Sequence, residues 1–215
     1  SSNVGSSNVL ESLGYGFTND QDTLRTHLDQ ANICFLHAPL FHPAMKNVVP
    51  VRRQLGVKTF FNMLGPLVNP VQPKWQLFGT YNLELSRLYQ YVMQETDRHF
   101  SIVYAMDGYD EISLTGPIKW RSRNSERLLH PKELGLPIYE QEDLFGGDTA
   151  EDAKKIMLSV LNDESSPAQK DVVIANAGLA IHTIKPDTSL EDCVAEARES
   201  IESKKAINVL KKLVD

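Results

Sequence analysis

Cysteine is scarce in this sequence, and long apolar runs are absent. Its 215 residues include two cysteines, Cys34 and Cys193, which lie far apart in apolar or helical surroundings. Two cysteines cannot build the disulfide framework that is typical of small secreted domains, so we expect a reducing, cytoplasmic setting. No segment approaches the ~20 consecutive apolar residues that span a bilayer, and we expect no membrane partner.

Basic residues are also in the minority. Acidic residues outnumber basic ones by 28 to 22, which gives a formal net charge of −6 and a pI near 5.5. Proteins that bind nucleic acid normally present a basic face, so this composition speaks against nucleic acid as a partner. The length suits one sizeable domain or about one and a half.

Several catalytic signatures are missing. The sequence has no Gly-x-Ser-x-Gly, no Cys-x-x-Cys and no Walker A loop, and its histidines lack a metal-binding spacing. Residues 146–149 (GGDT) precede a helical pattern, as a phosphate loop would, but no strand leads closely into them and their neighbours are acidic. We therefore interpret this segment as a loop in which Asp148 caps the next helix.

From residue 74 onward, strand and helix patterns alternate. Residues 74–82 and 99–108 read as strands, and 83–97 has apolar residues at helical spacing between them. This order implies parallel strands joined by a right-handed crossover. Residues 112–130 predict short antiparallel strands, and four helices are expected near 149–162, 168–184, 189–202 and 204–214. The expected class is α/β, with a mostly parallel central sheet flanked by helices.

The sequence of residues 1–36 predicts two helices and a short strand. The polar segment 1–8 leads into an apolar helix that Gly14 ends, and 21–31 has an amphipathic helical pattern. The apolar run 33–36 is expected to be a strand. Exposed amides before a helix favour anions, but a serine-rich chain end is more commonly a plain loop.

Residues 36–70 are interrupted by prolines, which fix φ and remove a backbone donor. They are Pro39, Pro43, Pro50, Pro66 and Pro70. Such a stretch makes a poor hydrophobic core but a rigid wall for a small-molecule pocket. His42, Arg52 and Arg53 lie among its large apolar residues. An arbitrary arginine pair is usually solvated, whereas this setting favours a flat anionic ligand that at most one of the two arginines faces.

Two adjacent carboxylates, Asp110 and Glu111, follow the strand at 99–108. Ligands of open α/β sheets bind beyond the carboxyl ends of the strands. Mg²⁺ takes one or two protein carboxylates and completes its shell with substrate phosphate and water. An acidic solvated turn remains the alternative from the residues alone.

The run FHPAMKNVVPVRRQLGVKTFFNMLGPLVNP (41–70) resembles the signature of anthranilate phosphoribosyltransferases. Three further motifs match in the family's order: SSNVGSSNVLESLG, DGYDEISLTGP, and NAGLAI at 176–181. The resemblance covers essentially the whole chain. It implies transfer of a phosphoribosyl group from phosphoribosyl pyrophosphate (PRPP) to the amine of anthranilate, a step of tryptophan biosynthesis, with Mg²⁺ as cofactor.

The resemblance also implies site residues. Arg52 matches the arginine that holds anthranilate, and His42 and Pro66 match residues that line the anthranilate channel. Asp110 and Glu111 match the magnesium-binding pair. The residues that match the PRPP-contacting loop lie at the front of the chain: Ser1, Ser2, Gly5 and Ser6.

Parts of the family's pattern are missing. The leading helices and the Gly-Thr-Gly-Gly-Asp pyrophosphate loop have no match, and residues 5–8 carry an amide where the family has an acid. We therefore expect the later portion of such an enzyme: the start of the α/β domain (1–37), a remnant of a partial helical subdomain lining the anthranilate site (38–66), and the α/β phosphoribosyltransferase domain (67–215). The isolated chain is expected to be inactive or nearly so, and the full-length form a homodimer.

Three other functions remain open. A nucleic-acid-binding relative would need a basic surface, which the charge does not favour. A nucleoside phosphorylase shares the fold, but the 41–70 motif favours anthranilate. A non-catalytic remnant of the family is the third.

Overall fold

The computed structural model of the protein describes residues 5–42 and 63–214. Most of the proline-interrupted stretch lies outside these residues. Among the expected site residues, Ser1, Ser2 and Arg52 lie outside them as well, so their predicted roles stay predictions.

The chain divides into two compact units. The first comprises the described residues within Ser1–Gln72, Gly146–Leu158 and Lys205–Asp215. The second comprises Pro73–Phe145 and Ser159–Lys204. Each unit therefore draws on distant parts of the chain.

The described residues contain eight α-helices, three 3₁₀ helices and four strands. The α-helices are α1 (Ser6–Ser12), α2 (Gln21–Ala31), α3 (Ala38–Phe41), α4 (Leu83–Gln94), α5 (Ala150–Leu161), α6 (Pro167–Ile184), α7 (Leu190–Glu202) and α8 (Lys205–Val214). The strands are β1 (Trp75–Gly79), β2 (His99–Ala105), β3 (Ile118–Ser122) and β4 (Glu126–Leu129). The 3₁₀ helices are Gly65–Val68, Pro131–Leu134 and Gln141–Leu144.

An aromatic cluster occupies the first unit where a strand was expected. Residues 33–36 have irregular backbone, so that prediction is wrong. The ring of Phe35 lies 5.0 Å from that of Tyr15 and 6.5 Å from that of Phe17. The apolar run is thus used for ring packing, because among the described residues no neighbouring strand pairs with it.

Helix caps are set by local sequence. Ser189 accepts a hydrogen bond from the Asp192 amide at 3.0 Å and is the N-cap of α7. At α5 the cap is Thr149, whose hydroxyl accepts from the Asp152 amide at 3.1 Å. The expected cap at Asp148 is therefore one residue too early.

The second unit is built on a four-stranded sheet with the order β1-β2-β3-β4. Strands β1 and β2 are parallel, with Gly79 opposite Val103. Strands β2, β3 and β4 are successively antiparallel. The α/β class is confirmed, but the described sheet is mixed rather than mostly parallel. Residues 106–117 and 123–125 form no helix, and a parallel return usually needs a helical crossover.

Helices cover both faces of strand β2. Its neighbours Ile102 and Val103 are both buried, and adjacent strand residues point to opposite faces. Helix α4 contacts β2 and β3, whereas α6 contacts β1, β2 and α7. Among the described residues, no helix combines the length and the apolar character needed to cross a membrane.

Candidate functional site

The loop that follows β2 holds the two expected metal-binding carboxylates. Strands β1 and β2 are parallel, so Gly79 and Ala105 end at the same edge of the sheet. Backbone bonds from Gly108 N to Ala105 O (2.9 Å) and from Ala105 N to Tyr109 O (3.0 Å) fold the loop tightly. Gly108 has φ +105°, a conformation that side chains rarely adopt. The fold therefore carries the carboxylates to the edge where α/β sheets bind ligands.

This loop lies directly against the end of β1. A Cβ built on Gly79 would lie 1.9 Å from the carbonyl oxygen of Asp110 and 3.0 Å from its carbonyl carbon. Glycine is therefore needed at this position, because any larger residue would displace the main chain that carries the carboxylates.

The carboxylates of Asp110 and Glu111 have no hydrogen bond or ion pair to any residue that the structure describes, and both residues are exposed. Protein atoms nevertheless crowd the Glu111 carboxyl, and this desolvation raises its pKa; the adjacent Asp110 charge raises it further. Two like charges held side by side without a partner suit a divalent cation. In the described part of the chain, no group of three or more His, Cys, Asp or Glu side chains is suited to a metal, so substrate and water would complete the shell.

A hydroxyl cluster braces the same loop, and the sequence reading missed it. The Asp107 carboxylate accepts from Ser113 Oγ at 3.3 Å and also from the Thr115 hydroxyl, which in turn lies 2.8 Å from Ser113 Oγ. The signal was present in the motif DGYDEISLTGP, whose first acid is followed by two hydroxyls at alternate positions. These bonds fix the loop's start relative to its end.

Asn176 of α6 is a second contact that the sequence reading did not identify. Its Oδ1 accepts from Ile112 N at 2.9 Å, and its Nδ2 donates to Ile112 O at 2.9 Å and to Val172 O at 2.9 Å. An asparagine inside an otherwise apolar helical segment, NAGLAI, was the available signal.

The front loop lies in the first unit. Gly5 is exposed and extended (φ −95°, ψ 163°), and α1 begins at Ser6. The side chain of Asn8 accepts from Gly5 N at 3.1 Å. Asn8 stands where the family has an acid, and its side-chain oxygen accepts the hydrogen bond that closes this turn.

The expected anthranilate-channel residues also lie in the first unit. His42 is half-buried at the end of α3, and its backbone N–H donates to Ala38 O at 3.0 Å. Pro66 is exposed within the 3₁₀ helix Gly65–Val68. Ser7 Oγ lies 3.3 Å from His37 Nδ1, which joins the front loop to the start of the proline-rich stretch.

Among the predicted site residues that the structure describes, Asp110 and Glu111 are neighbours in the chain, as are Gly5 and Ser6. His42 and Pro66 lie on different elements of the first unit, and Arg52 is not among the described residues.

Comparison with known proteins identifies relatives along the whole chain. The chain is 56% identical to the anthranilate phosphoribosyltransferase of Cytophaga hutchinsonii over 214 residues, which are 100% of this chain and 65% of that protein. It matches the structure of anthranilate phosphoribosyltransferase from Saccharomyces cerevisiae in complex with PRPP and Mg with a TM-score of 0.90 and 25% identity, covering 99% of this chain and 61% of that one. A structure of the yeast enzyme in complex with 4-fluoroanthranilate gives a TM-score of 0.89 at 25% identity, with coverages of 98% and 62%.

The chain thus spans slightly less than two thirds of the length of these proteins. They confirm the α/β class and the resemblance noted in the sequence. The model of the glycosyl transferase family, a/b domain, matches residues 1–207. Because that match covers nearly all of the sequence, the chain belongs to the glycosyl transferase family and contains its α/β domain.

Proposed function

We propose that this protein transfers a phosphoribosyl group from PRPP to the amine of anthranilate, as a transferase of tryptophan biosynthesis. The observation that carries the proposal is the Asp110–Glu111 pair at the carboxyl edge of two parallel strands, where neither carboxylate has a partner among the described residues. It is supported by similarity to proteins named for that activity. The similar yeast structure in complex with PRPP and Mg supports Mg²⁺ as the cofactor.

The substrate roles follow the motif matches. Arg52 would hold the anthranilate carboxylate through charge-assisted hydrogen bonds. His42 and Pro66 would line the channel, within the segment 38–66 that we assign to the anthranilate side of the site. The PRPP contacts would come from the front-loop residues Ser1, Ser2, Gly5 and Ser6.

The reaction makes modest chemical demands on the protein. The neutral amine nitrogen bonds to the anomeric carbon, the bond from that carbon to pyrophosphate oxygen breaks, and the nitrogen releases one proton. Orientation of the amine against the anomeric carbon is the main contribution of residues such as Arg52. A bound Mg²⁺ supplies charge stabilisation for the departing pyrophosphate. Asp110 and Glu111 would hold that ion.

The test is an anthranilate-consumption assay on the full-length gene product with PRPP, with and without Mg²⁺. We expect activity that requires the metal and falls by about 100-fold or more in an Asp110→Asn/Glu111→Gln variant, because metal stabilisation of departing charge contributes several kcal/mol. The matched control is Glu142→Gln/Asp143→Asn, which removes two adjacent exposed acids elsewhere and should keep the activity. Unchanged transfer in the first variant would overturn the role of the pair.

The remaining functions are outcomes of parallel assays. Phosphorolysis of thymidine with inorganic phosphate would indicate the nucleoside phosphorylase alternative. A salt-dependent gel shift would indicate nucleic-acid binding. Absence of transfer by the full-length product, with metal and both substrates present, would favour the non-catalytic alternative.

We also propose a cytoplasmic location and a homodimer for the full-length protein. Both cysteines are free thiols, as a reducing compartment would keep them. The dimer follows from the family resemblance. Light scattering of the full-length product at several concentrations tests it.

A further inference from the structure

The carboxamide of Asn176 binds the peptide groups on both sides of one residue. Its oxygen accepts from the amide of Ile112 and its nitrogen donates to the carbonyl of the same residue, each at 2.9 Å. Two opposed bonds to one residue fix both the position and the orientation of that backbone segment. Ile112 itself is fully buried, so its side chain anchors the same point.

The contact lies next to the proposed cation-binding pair. Ile112 directly follows Glu111, and Asp110 on the other side lies against Gly79 of β1 at a distance that leaves no room for a Cβ. The Asp110–Glu111 dipeptide therefore lies between two fixed points of the main chain. One point is provided by a strand and the other by helix α6.

The carboxylates themselves have no such support from the residues that the structure describes. Their direction is therefore set by the backbone that carries them. A cation site with few protein ligands depends on that direction, because small ions such as Mg²⁺ demand near-ideal geometry.

We propose that Asn176 is a positioning residue for the cation site: it holds the backbone at Ile112 so that the carboxylates of Asp110 and Glu111 point toward one bound ion. The inference rests on the proposed function, which makes this pair the metal ligands. Asn176 does not touch the ion, and acts through the main chain.

The test measures Mn²⁺ affinity through the loss of the free-ion electron paramagnetic resonance signal, on the full-length protein alone and with PRPP, each compared with a protein-free blank of the same composition. We expect Asn176→Ala to weaken Mn²⁺ binding by about 10-fold, the lower end for outer-shell partners of metal ligands. A second variant, Asn176→Leu, keeps the branched four-atom outline of the side chain but removes its three hydrogen bonds and should behave alike.

The matched control is Thr183→Ala on the same helix. The Thr183 hydroxyl is buried and bonds to Ser101 Oγ at 2.8 Å and to Leu179 O at 2.8 Å. Ser101 lies toward the opposite end of β2, so this change removes comparable buried bonds away from the carboxylates. If both variants weaken Mn²⁺ binding equally, Asn176 acts only through general stability and the inference is overturned.

Amide hydrogen exchange provides a readout that does not depend on the ion. The Ile112 amide should exchange faster in Asn176→Ala than in Thr183→Ala, because its acceptor is gone. Unchanged exchange at Ile112 would contradict the contact itself.

The variant Asp110→Asn/Glu111→Gln distinguishes failure of this inference from failure of the proposed function. If Asp110→Asn/Glu111→Gln loses Mn²⁺ binding while Asn176→Ala retains it, the metal site stands and the positioning role fails. If the double variant binds Mn²⁺ as the wild type does, or the wild type binds none even with PRPP, the proposed metal site fails and the inference fails with it.

Discussion

The carboxylates of the second unit occupy two contrasting settings. Asp171 is buried, and it accepts from Tyr139 Oη at 2.7 Å and from Arg198 Nη2 at 2.9 Å. Asp110 and Glu111 have no such bonds to the described residues. At Asp171, neighbouring donors compensate the negative charge. At Asp110 and Glu111, contacts hold the main chain and leave both carboxylates available to a ligand.

Glu126, like Asp171, is a carboxylate whose charge is paired within the fold. It pairs with Lys119 Nζ at 2.6 Å and with the guanidinium of Arg121, which also reaches Ser86 and Gln90. The hydrogen bond from Lys119 contributes most to lowering the pKa of Glu126. The contrast separates acids whose charge is used within the fold from two acids that have no partner among the described residues and to which we assign the proposed cation.

The largest effect is expected at the close contact beneath the unpaired acids. Gly79→Ala would place a methyl group 1.9 Å from the Asp110 carbonyl oxygen. We expect a loss of about 3 kcal/mol in the free energy of unfolding, the upper end for overpacking, together with weaker Mn²⁺ binding. Denaturant unfolding measures the loss in the free energy of unfolding. Gly116→Ala is the control, since nothing lies within 4 Å of its Cβ position; equal stability of the two variants would contradict the contact.

Breaking a paired acid should lower the free energy of unfolding without affecting the proposed cation site. Glu126→Ala leaves Arg121, whose side chain is 3% exposed, without its carboxylate. We expect a loss of about 2 kcal/mol, less than the ~3–5 kcal/mol of fully buried pairs because Glu126 is 43% exposed. Mn²⁺ affinity should stay at the wild-type value. Glu95→Ala, at an exposed site, should change neither quantity. A fall in Mn²⁺ affinity in Glu126→Ala would contradict the separation between acids that stabilise the fold and acids that bind the cation.

Much of this architecture follows from local patterns. The helix at 21–31 and the strands around 75–79 and 99–105 were predicted because apolar periodicity and turn residues are local signals. The strand expected at 33–36 was wrong because pairing needs a neighbour that local sequence does not reveal. The Thr149 cap differs from the expected Asp148 by one residue, which is the usual precision of a boundary.

The site could be predicted only in part. The position of Asp110 and Glu111 after a strand was readable, because strand ends are local. The contact between Asn176 and Ile112 joins residues 64 positions apart, so no local pattern contains it. The need for glycine at position 79 likewise arises from a loop that returns from the neighbouring strand. Backbone support of a site therefore escapes sequence reading more readily than the charged groups it carries.

A smaller effect is expected at the Tyr139–Asp171 bond. Desolvation, followed by the hydrogen bond and charge of Asp171, raises the pKa of Tyr139 to about 12. A raised pKa gives stability that is complete below the ordinary value of 10.0 and is lost as the pH rises through about 12. Tyr139→Phe should cost about 1 kcal/mol at neutral pH, as for an ordinary hydrogen bond, and this deficit should shrink across that window. Phenolate absorbance measures the pKa of Tyr139, and denaturant unfolding at each pH measures the stability deficit of Tyr139→Phe.

The matched control for that prediction is Tyr91→Phe, because residue Tyr91 is 60% exposed. It should leave stability unchanged at every pH. A deficit in Tyr139→Phe that stays constant from pH 10 to pH 12 would show that the phenol does not stabilise the fold through its proton.

The smallest effect is expected at the unpaired pair itself. Because the pKa of Glu111 is raised above 4.5, metal-free protein should lose stability as pH rises through the raised value, and Glu111→Gln should not. Solvent screening at this exposed site limits the gain of Glu111→Gln at neutral pH to about 0.5 kcal/mol. Saturating Mn²⁺ should reverse the order, since an ion that binds the folded state stabilises the wild type more. Thermal unfolding with and without Mn²⁺ measures this, with exposed Glu164→Gln as control; a less stable metal-free Glu111→Gln would place Glu111 among the stabilising acids.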